Sequence, residues 1–305
     1  MPTLIARAAS TNPAAFTGER LTNAVTGQLE AEHYHRYLLA VGVCAGRDVL
    51  DVATGEGYGA AMLAAQARTV TACDLAEDVV ARATEAFVRP NLRFVTGDAR
   101  RLPMPDGSVD VVVCFEALEH FAEHEIFLDE VRRVLRPRGM LLISTPDREI
   151  YSPPGAPPNP FHMRELSRRE FVDLLGARFA HVALARQRSV AGSVIVPEHP
   201  VAPRLIFERS GDAHFSCDSQ LPAAPYLLAW ASDAALPDIP ASLLVMHGDL
   251  DGVMREQAAL RAARIEADSV AHRLRAIEGS TTWRATAPLR RLGLVVKAFR
   301  RRARP

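Results

Sequence analysis

From residue 48 onward, short apolar runs alternate with segments whose apolar residues recur every three or four positions. The runs fall at 49–53, 69–73, 92–95, 109–115 and 140–144, each the length of a single strand. Between them, 59–67, 76–88 and 123–135 read as helices. The last sets Phe127, Val131, Val134 and Leu135 on one helical face, and Pro137 and Gly139 stop it. Strands that are apolar throughout and separated by helices predict a parallel sheet covered on both faces, a doubly wound α/β fold. Two final strands are expected at 179–185 and 225–231. Ahead of the sheet, 25–41 predicts a helix carrying Glu32-His33-Tyr34-His35-Arg36-Tyr37. A further helix is expected at 166–175, with Ser167 as N-cap and Glu170 as its capping-box partner.

The remaining segments are less periodic. Residues 146–161 hold six prolines and are longer than a usual strand-to-helix connection, which predicts a lid or acceptor loop. An insertion spans about 186–224. A polar, alanine-rich helix follows over 249–278, where Val253, Leu260 and Leu274 fit a heptad and Arg264 does not, so a coiled coil stays open. The expected division is 1–47 as N-terminal segment and lid helix, 48–247 as the α/β domain, 248–279 as polar helix and 280–305 as basic tail.

Composition changes this picture in three places. The 36 basic and 36 acidic residues cancel, so the chain as a whole has no electrostatic reason to seek nucleic acid. The four cysteines lie far apart with no CxxC pair, which argues against a disulfide framework or a zinc site. No apolar run approaches 18 residues and the first fifteen residues lack a leader pattern, so a cytoplasmic location is expected.

The segment Val49-Leu50-Asp51-Val52-Ala53-Thr54-Gly55-Glu56-Gly57-Tyr58-Gly59 turns sharply from strand to helix. Gly55 and Gly57 admit backbone angles closed to other residues and let the main chain approach a ligand. With Ala60 the turn also reads GxGxxA, so a nicotinamide dinucleotide is the rival ligand. Three acids weigh against it. Asp51, four residues before Gly55, suits an ammonium or sulfonium better than a pyrophosphate. Asp74, ending the second strand, can hold ribose hydroxyls, which both cofactors present. Asp98, just past the third strand, is placed to accept from an adenine amino group.

On these residues the chain, from Asp48 to about Ala185, resembles class I S-adenosylmethionine-dependent methyltransferases. The resemblance implies a seven-stranded Rossmann-like sheet with an N-terminal helix and a C-terminal helical extension. It implies S-adenosyl-L-methionine as cofactor, with Gly55 and Gly57 against its methionine part, Asp74 on ribose and Asp98 on adenine. In this fold an N-terminal helix commonly closes over the cofactor, where Arg36 could grip its carboxylate. A plain amphipathic surface helix is the alternative.

The fourth strand runs into Glu116-Ala117-Leu118-Glu119-His120. If the chain turns helical there, Glu116, Glu119 and His120 share a face. Asp147 and His162 come from the loop after the neighbouring strand, on the same edge of the sheet. Two readings stay open: a Mg²⁺ or Mn²⁺ ion held by Glu116, Glu119, His120 and His162, or His120 as general base with Glu119 beside it. A structural Glu119–His120 pair that orders the cofactor loop is the alternative to both. The spacing resembles the metal-binding pattern of small-RNA 2′-O-methyltransferases and ubiquinone-pathway O-methyltransferases, and His162 corresponds in position to a further histidine of the RNA enzymes.

The acceptor is narrowed by resemblance alone. Phe16-Thr17-Gly18-Glu19-Arg20, the Glu32–Tyr37 cluster and Asn159-Pro160-Phe161-His162 together look like a bacterial subgroup found with surface-polysaccharide assembly enzymes. That implies a sugar hydroxyl in a glycan as acceptor. A small metabolite such as an antibiotic sugar or a quinone, methylated on oxygen or nitrogen, remains open, as does a non-catalytic cofactor-binding scaffold. The segment from Arg284 to Pro305 has eight basic residues and no acidic one, interleaved with Leu289, Leu292, Leu294, Val295, Val296 and Phe299. It is expected to dock on an inner-membrane surface or a glycan-assembly partner, or to be a plain basic tail.

Overall fold

The computed structural model describes residues 28–190, 206–210, 214–218, 221, 223–244, 270, 273 and 274. The expectations for 1–27, for nearly all of the polar helix and for the basic tail lie outside the described residues. The chain divides into two units, 1–245 and 246–305; in the second, only helical Val270, Arg273 and Leu274 are described.

The first unit opens with helix α1 (Gln28–Cys44), followed by β1 (Asp48–Val52), α2 (Tyr58–Leu63), β2 (Thr69–Asp74), α3 (Glu77–Ala86) and β3 (Leu92–Thr96). Next come β4 (Val109–Phe115), a 3-10 turn at Leu118–His120, α4 (His124–Val134), β5 (Leu135–Pro146), α5 (Arg148–Tyr151) and α6 (Arg168–Gly176). The unit ends with β6 (His181–Gln187), β7 (Ile206–Ser210), β8 (His214–Asp218) and β9 (Tyr226–Ser232). Seven strands form one sheet in the order β3-β2-β1-β4-β5-β9-β6, and β7 and β8 pair as a separate hairpin within the insertion. Strands β1 to β5 run parallel, and β9 runs antiparallel to both of its neighbours. The strand order reverses between β1 and β4, so the crevice for ligands opens at the carboxyl ends there.

The apolar runs became strands because both sheet faces are covered. One core joins Leu50, Val112, Leu141 and Ile143 to Phe127, Val131 and Val134 of α4 and to Phe171 and Leu175 of α6. The other joins Val49, Val111, Val113 and Leu142 to Tyr37, Ala40, Val41 and Cys44 of α1 and to α2. Ser167 caps α6 and completes a capping box with Glu170, as the sequence predicts. The strand expected at 140–144 begins earlier, at Leu135. Its first part pairs with Val109, and the register then shifts so that Met140 pairs with Val111. Arg136 holds that extension in place through ion pairs with Asp110 and Asp48 at the amino-terminal edge of the sheet. Cys44, Cys73 and Cys114 are buried free thiols.

Candidate active site

The glycine turn is held from behind by two aspartates. Asp51 is fully buried and accepts from Thr54 Oγ1 at 2.6 Å and from Tyr37 Oη at 3.2 Å. Burial pushes its carboxyl up to about 7; the two hydroxyls pull the other way, and Asp74 adds a smaller upward push. Asp74 accepts from the amide of Gly55 at 3.0 Å and, through its other oxygen, from the amide of Ala76 at 3.0 Å. It therefore fastens the turn to the end of β2. Gly57 has φ 79°, and a Cβ there would run into the ring of Phe94 and into Ala83, so glycine is required on both counts. Ala53, just ahead of the turn, also holds a positive φ of 57° without being glycine, a strained conformation of the kind that gathers at ligand sites.

Asp98 lies at the mouth beyond β3, with both oxygens engaged by Arg100, the shortest contact at 2.8 Å. That pairing holds its carboxyl below the usual range. The Arg100 amide also donates to Asp98 Oδ1 at 2.8 Å; these three donors leave one of a carboxylate's about four lone-pair positions for an adenine amino group.

Helix α1 closes one side. Tyr34 stacks on Tyr58, whose hydroxyl meets His33 Nδ1 at 3.0 Å, and burial lowers the His33 imidazole to about 3, with Arg36 contributing next. His33 is thus a neutral packing group. Arg36, expected on the cofactor carboxylate, is directed instead over the β4–β5–β9–β6 half of the sheet. Its Nε donates to Gln187 at 2.6 Å and its guanidinium lies 4.6 Å above the Tyr226 ring. Because α1 crosses the sheet, Tyr37 faces β1 while Arg36, one residue earlier, faces the strands beyond it.

The Glu116–His120 segment departs from the helical expectation. Glu116 takes a φ of 51°, breaking the chain direction at the end of β4, and only Leu118–His120 form a 3-10 turn. Glu116 is thereby separated from the other donors: its carboxylate accepts from Ser144 Oγ at 2.6 Å and faces Arg36 at 3.6 Å. Glu119, His120 and His162 do come together, one ligand atom from each lying within 4.8 Å of the others. Asp147 stays apart as the N-cap of α5.

The backbone holds the three groups in register. The amides of Met163 and Arg164 donate to the Glu119 carbonyl at 2.8 and 3.1 Å, which pins the 146–161 loop to the 3-10 turn. His120 Nδ1 meets the Phe161 carbonyl at 3.1 Å, and His162 Nδ1 meets the Glu165 carboxylate at 2.6 Å. A carbonyl or carboxylate partner calls for the Nδ1–H tautomer, so both rings carry their lone pair on Nε2. His162 Nε2 receives the side-chain amide of Asn159 at 3.1 Å. Glu119 is buried; that burial, with the Glu116 charge second, keeps its carboxyl well above the usual range, and Thr145 Oγ1 donates to it at 3.3 Å. Two imidazoles and a carboxylate suit Mn²⁺ better than Mg²⁺. Ligands at about 2.1 Å from one ion lie at most about 4.2 Å apart, so to hold one the cluster must contract by about half an ångström and Asn159 must release His162 Nε2.

Sequence reasoning missed Tyr37 and Thr54 behind Asp51, Glu165 behind His162, and Gln187 and Tyr226 around Arg36. Only Tyr37 carried a signal, its place in the Glu32–Tyr37 cluster.

Comparison with known proteins bears on this site. The methyltransferase domain family matches residues 50–143, from β1 through most of β5. The chain is 43% identical over 166 residues to a protein of Mycolicibacterium smegmatis named as an S-adenosylmethionine-dependent methyltransferase, covering 52% of this chain and 63% of that one. It is 40% identical over 118 residues to the demethylmenaquinone methyltransferase of Beutenbergia cavernae, covering 39% of this chain and 47% of that one. It thus spans less than two thirds of either relative. The methyltransferase solved with the Haloferax volcanii Trm112 activator shares the fold, with a TM-score of 0.50, 22% identity, and 68% of this chain and 92% of that one covered. The family match spans the strands that carry the glycine turn and the acids at the ends of β1 and β2 and just past β3, and the seven-stranded sheet with its antiparallel strand between β5 and β6 has the Rossmann-like α/β order; over residues 50–143 the chain is similar to S-adenosylmethionine-dependent methyltransferases.

Proposed function

We propose that the protein transfers the methyl group of S-adenosylmethionine to a hydroxyl oxygen of its acceptor, with His120 as general base. The observation that supports this reading is the Glu119–His120–His162 cluster at the carboxyl edge of β4 and β5, beside the cofactor crevice. A sulfonium is an already activated donor, so the protein must mainly align the oxygen with the methyl carbon and remove one proton. The acceptor proton passes to His120 Nε2 as the O–CH₃ bond forms and the S–CH₃ bond breaks, leaving a neutral thioether. His120 Nε2 cannot both accept that proton and ligate a metal: a divalent cation held there by His120 with Glu119 and His162 would replace the base and lower the pKa of the acceptor oxygen instead.

Under this reading the acceptor is a sugar hydroxyl of a bacterial glycan, as the Glu32–Tyr37 and Asn159–His162 patterns imply. A lipid acceptor is the second reading. It is favoured by the exposed apolar side chains of Ile150, Tyr151, Phe161 and Met163 in and beside the loop at the mouth, and by the likeness to a demethylmenaquinone methyltransferase.

The experiment is transfer of labelled methyl groups from S-adenosylmethionine to a polysaccharide fraction and a polar-lipid fraction of the source organism, with mass spectrometry of the products. His120→Gln is expected to lower turnover about 10²- to 10⁴-fold and to leave S-adenosylhomocysteine affinity unchanged. Native turnover in that variant removes His120 from the chemistry. Loss of turnover in excess chelator, restored by Mn²⁺, would make the histidines metal ligands first.

A further inference from the structure

Residues 150–163 carry an apolar surface beside the reactive groups. Ile150, Tyr151, Phe161 and Met163 are exposed, Met163 at 69%, and so are the five prolines between them. Tyr151 stacks on His162 with ring centroids 5.5 Å apart, so the two ends of the segment meet. The patch is fixed to the turn that bears His120: the Phe161 carbonyl meets His120 Nδ1 at 3.1 Å, and the Met163 amide donates to the Glu119 carbonyl at 2.8 Å.

Three features suit this surface to lipid. No residue from 150 to 163 is Asp, Glu, Lys or Arg, so entering an apolar boundary desolvates no such charge. Its backbone donors are nearly all spent. Five of the fourteen residues are prolines, which have no N–H. The amides of Ile150 and Tyr151 donate to the Asp147 carbonyl, that of Ser152 to Arg148 and that of Ala156 to Pro153. Those of Phe161 and His162 both donate to Asn159, through its side chain and its carbonyl. Unsatisfied amides are what keeps irregular chain out of lipid, and among the described residues Gly155 and Asn159 are the exceptions here. Finally, the rim is basic. Over 148–149 and 164–170 the exposed charged residues are Arg148, Arg164, Arg168 and Arg169 against Glu149 and Glu170, a balance that matches anionic headgroups.

We infer that this surface docks on an anionic lipid bilayer, with Ile150, Tyr151, Phe161 and Met163 at the boundary between headgroups and acyl chains. The hydroxyl presented to His120 then belongs to a molecule held in that membrane. This deepens the O-methyl-transfer reading and rests on it for the acceptor alone, since docking needs no reaction. The contact is shallow, so the free carbonyls of the loop stay hydrated at headgroup level. A patch this small attaches weakly by itself, and stable attachment takes a second signal. The basic segment 284–305 supplies the attraction, and the 150–163 surface sets which side of the protein meets the lipid.

The test uses the full-length chain with Cys217→Ser, the other three cysteines being buried, and one nitrobenzoxadiazole label on Met163→Cys or, as control, on Val88→Cys. Val88 is more exposed, at 87%, and lies between α3 and β3 at the amino-terminal edge of the sheet, opposite the mouth. Vesicles of equal parts phosphatidylcholine and phosphatidylglycerol are added at low salt. The emission of the label at 163 is expected to shift to the blue and brighten, and that of the label at 88 to stay as in buffer. In the unlabelled chain, Ile150→Ser with Phe161→Ser should weaken vesicle binding by at least about ten-fold, with native S-adenosylhomocysteine affinity as the sign of an intact fold. Should that affinity be lost, the two labels decide. An unshifted label at 163 on protein that co-sediments overturns the inference and leaves the patch to a protein partner. Equal shifts at both positions, native vesicle binding in the folded double variant, or no co-sedimentation at all also overturn it. A shift confined to 163 without methyl transfer to membrane-borne hydroxyls supports the docking and counts against the reaction.

Discussion

Replacing Asp74 by asparagine keeps the side-chain shape and removes its charge. In the native chain one oxygen accepts from the Gly55 amide and the other from the Ala76 amide, each at 3.0 Å. Asparagine can accept at only one of these, and its NH₂ then opposes the remaining N–H. Charge-assisted hydrogen bonds contribute about 1.5–3 kcal/mol each, so Asp74→Asn should cost about that much stability and Asp74→Ala about twice as much. If the same carboxylate also accepts from the cofactor ribose, affinity should fall by a further 1.5–3 kcal/mol, about 10- to 150-fold. Urea unfolding of the cofactor-free protein reads the first effect, and calorimetric titration with S-adenosylhomocysteine reads the second. Lower stability with native affinity would confine Asp74 to bracing the turn. An Asp74→Asn protein native in both respects would refute the reasoning.

Three further outcomes are expected. Asp51 titrates near 7 in the folded chain against an ordinary value of 3.8. The native state therefore keeps a proton that the unfolded chain has lost between those values, and stability falls as pH rises through that window by up to about 4 kcal/mol; in Asp51→Asn the component of the pH slope due to this group should vanish, as pH-dependent urea melts would show. Gly59→Ala would place a methyl group inside the Tyr37 ring and lift α1 from α2, so its melting temperature should drop by the equivalent of about 1–3 kcal/mol or more; an unchanged melt contradicts that packing. Removing residues 280–305 should abolish co-sedimentation with anionic liposomes and spare S-adenosylhomocysteine affinity, since each basic residue near such a surface contributes about 1 kcal/mol; a full-length protein that ignores the liposomes at low salt leaves only a protein partner for the tail.

The inner strands β1, β4 and β9 were legible because they are buried on both faces, which writes them as nearly unbroken apolar runs. The start of β5 was not, because Arg136 and Arg138 interrupt its run and Arg136 is accommodated by carboxylates on two other strands. The positions of Asp51, Asp74 and Asp98, at or just past strand ends around the glycine turn, were legible in the sequence. Their supports were not, since the contacts of Tyr37 with Asp51 and of Gln187 with Arg36 depend on how α1 crosses the sheet. The four-residue metal set failed at Glu116 for a local reason: a positive φ at a residue other than glycine leaves no mark in a sequence. Among the described residues no helix is long and apolar enough to cross a membrane, in keeping with the short apolar runs.

The reaction open to this protein depends most on which cofactor the crevice between β1 and β4 accepts. Calorimetric titration of the full-length protein with S-adenosylhomocysteine and, separately, with NAD tests this directly. Binding of one S-adenosylhomocysteine per chain, with no heat from NAD, is the predicted result. Saturable NAD binding, or no binding of S-adenosylhomocysteine, would contradict it.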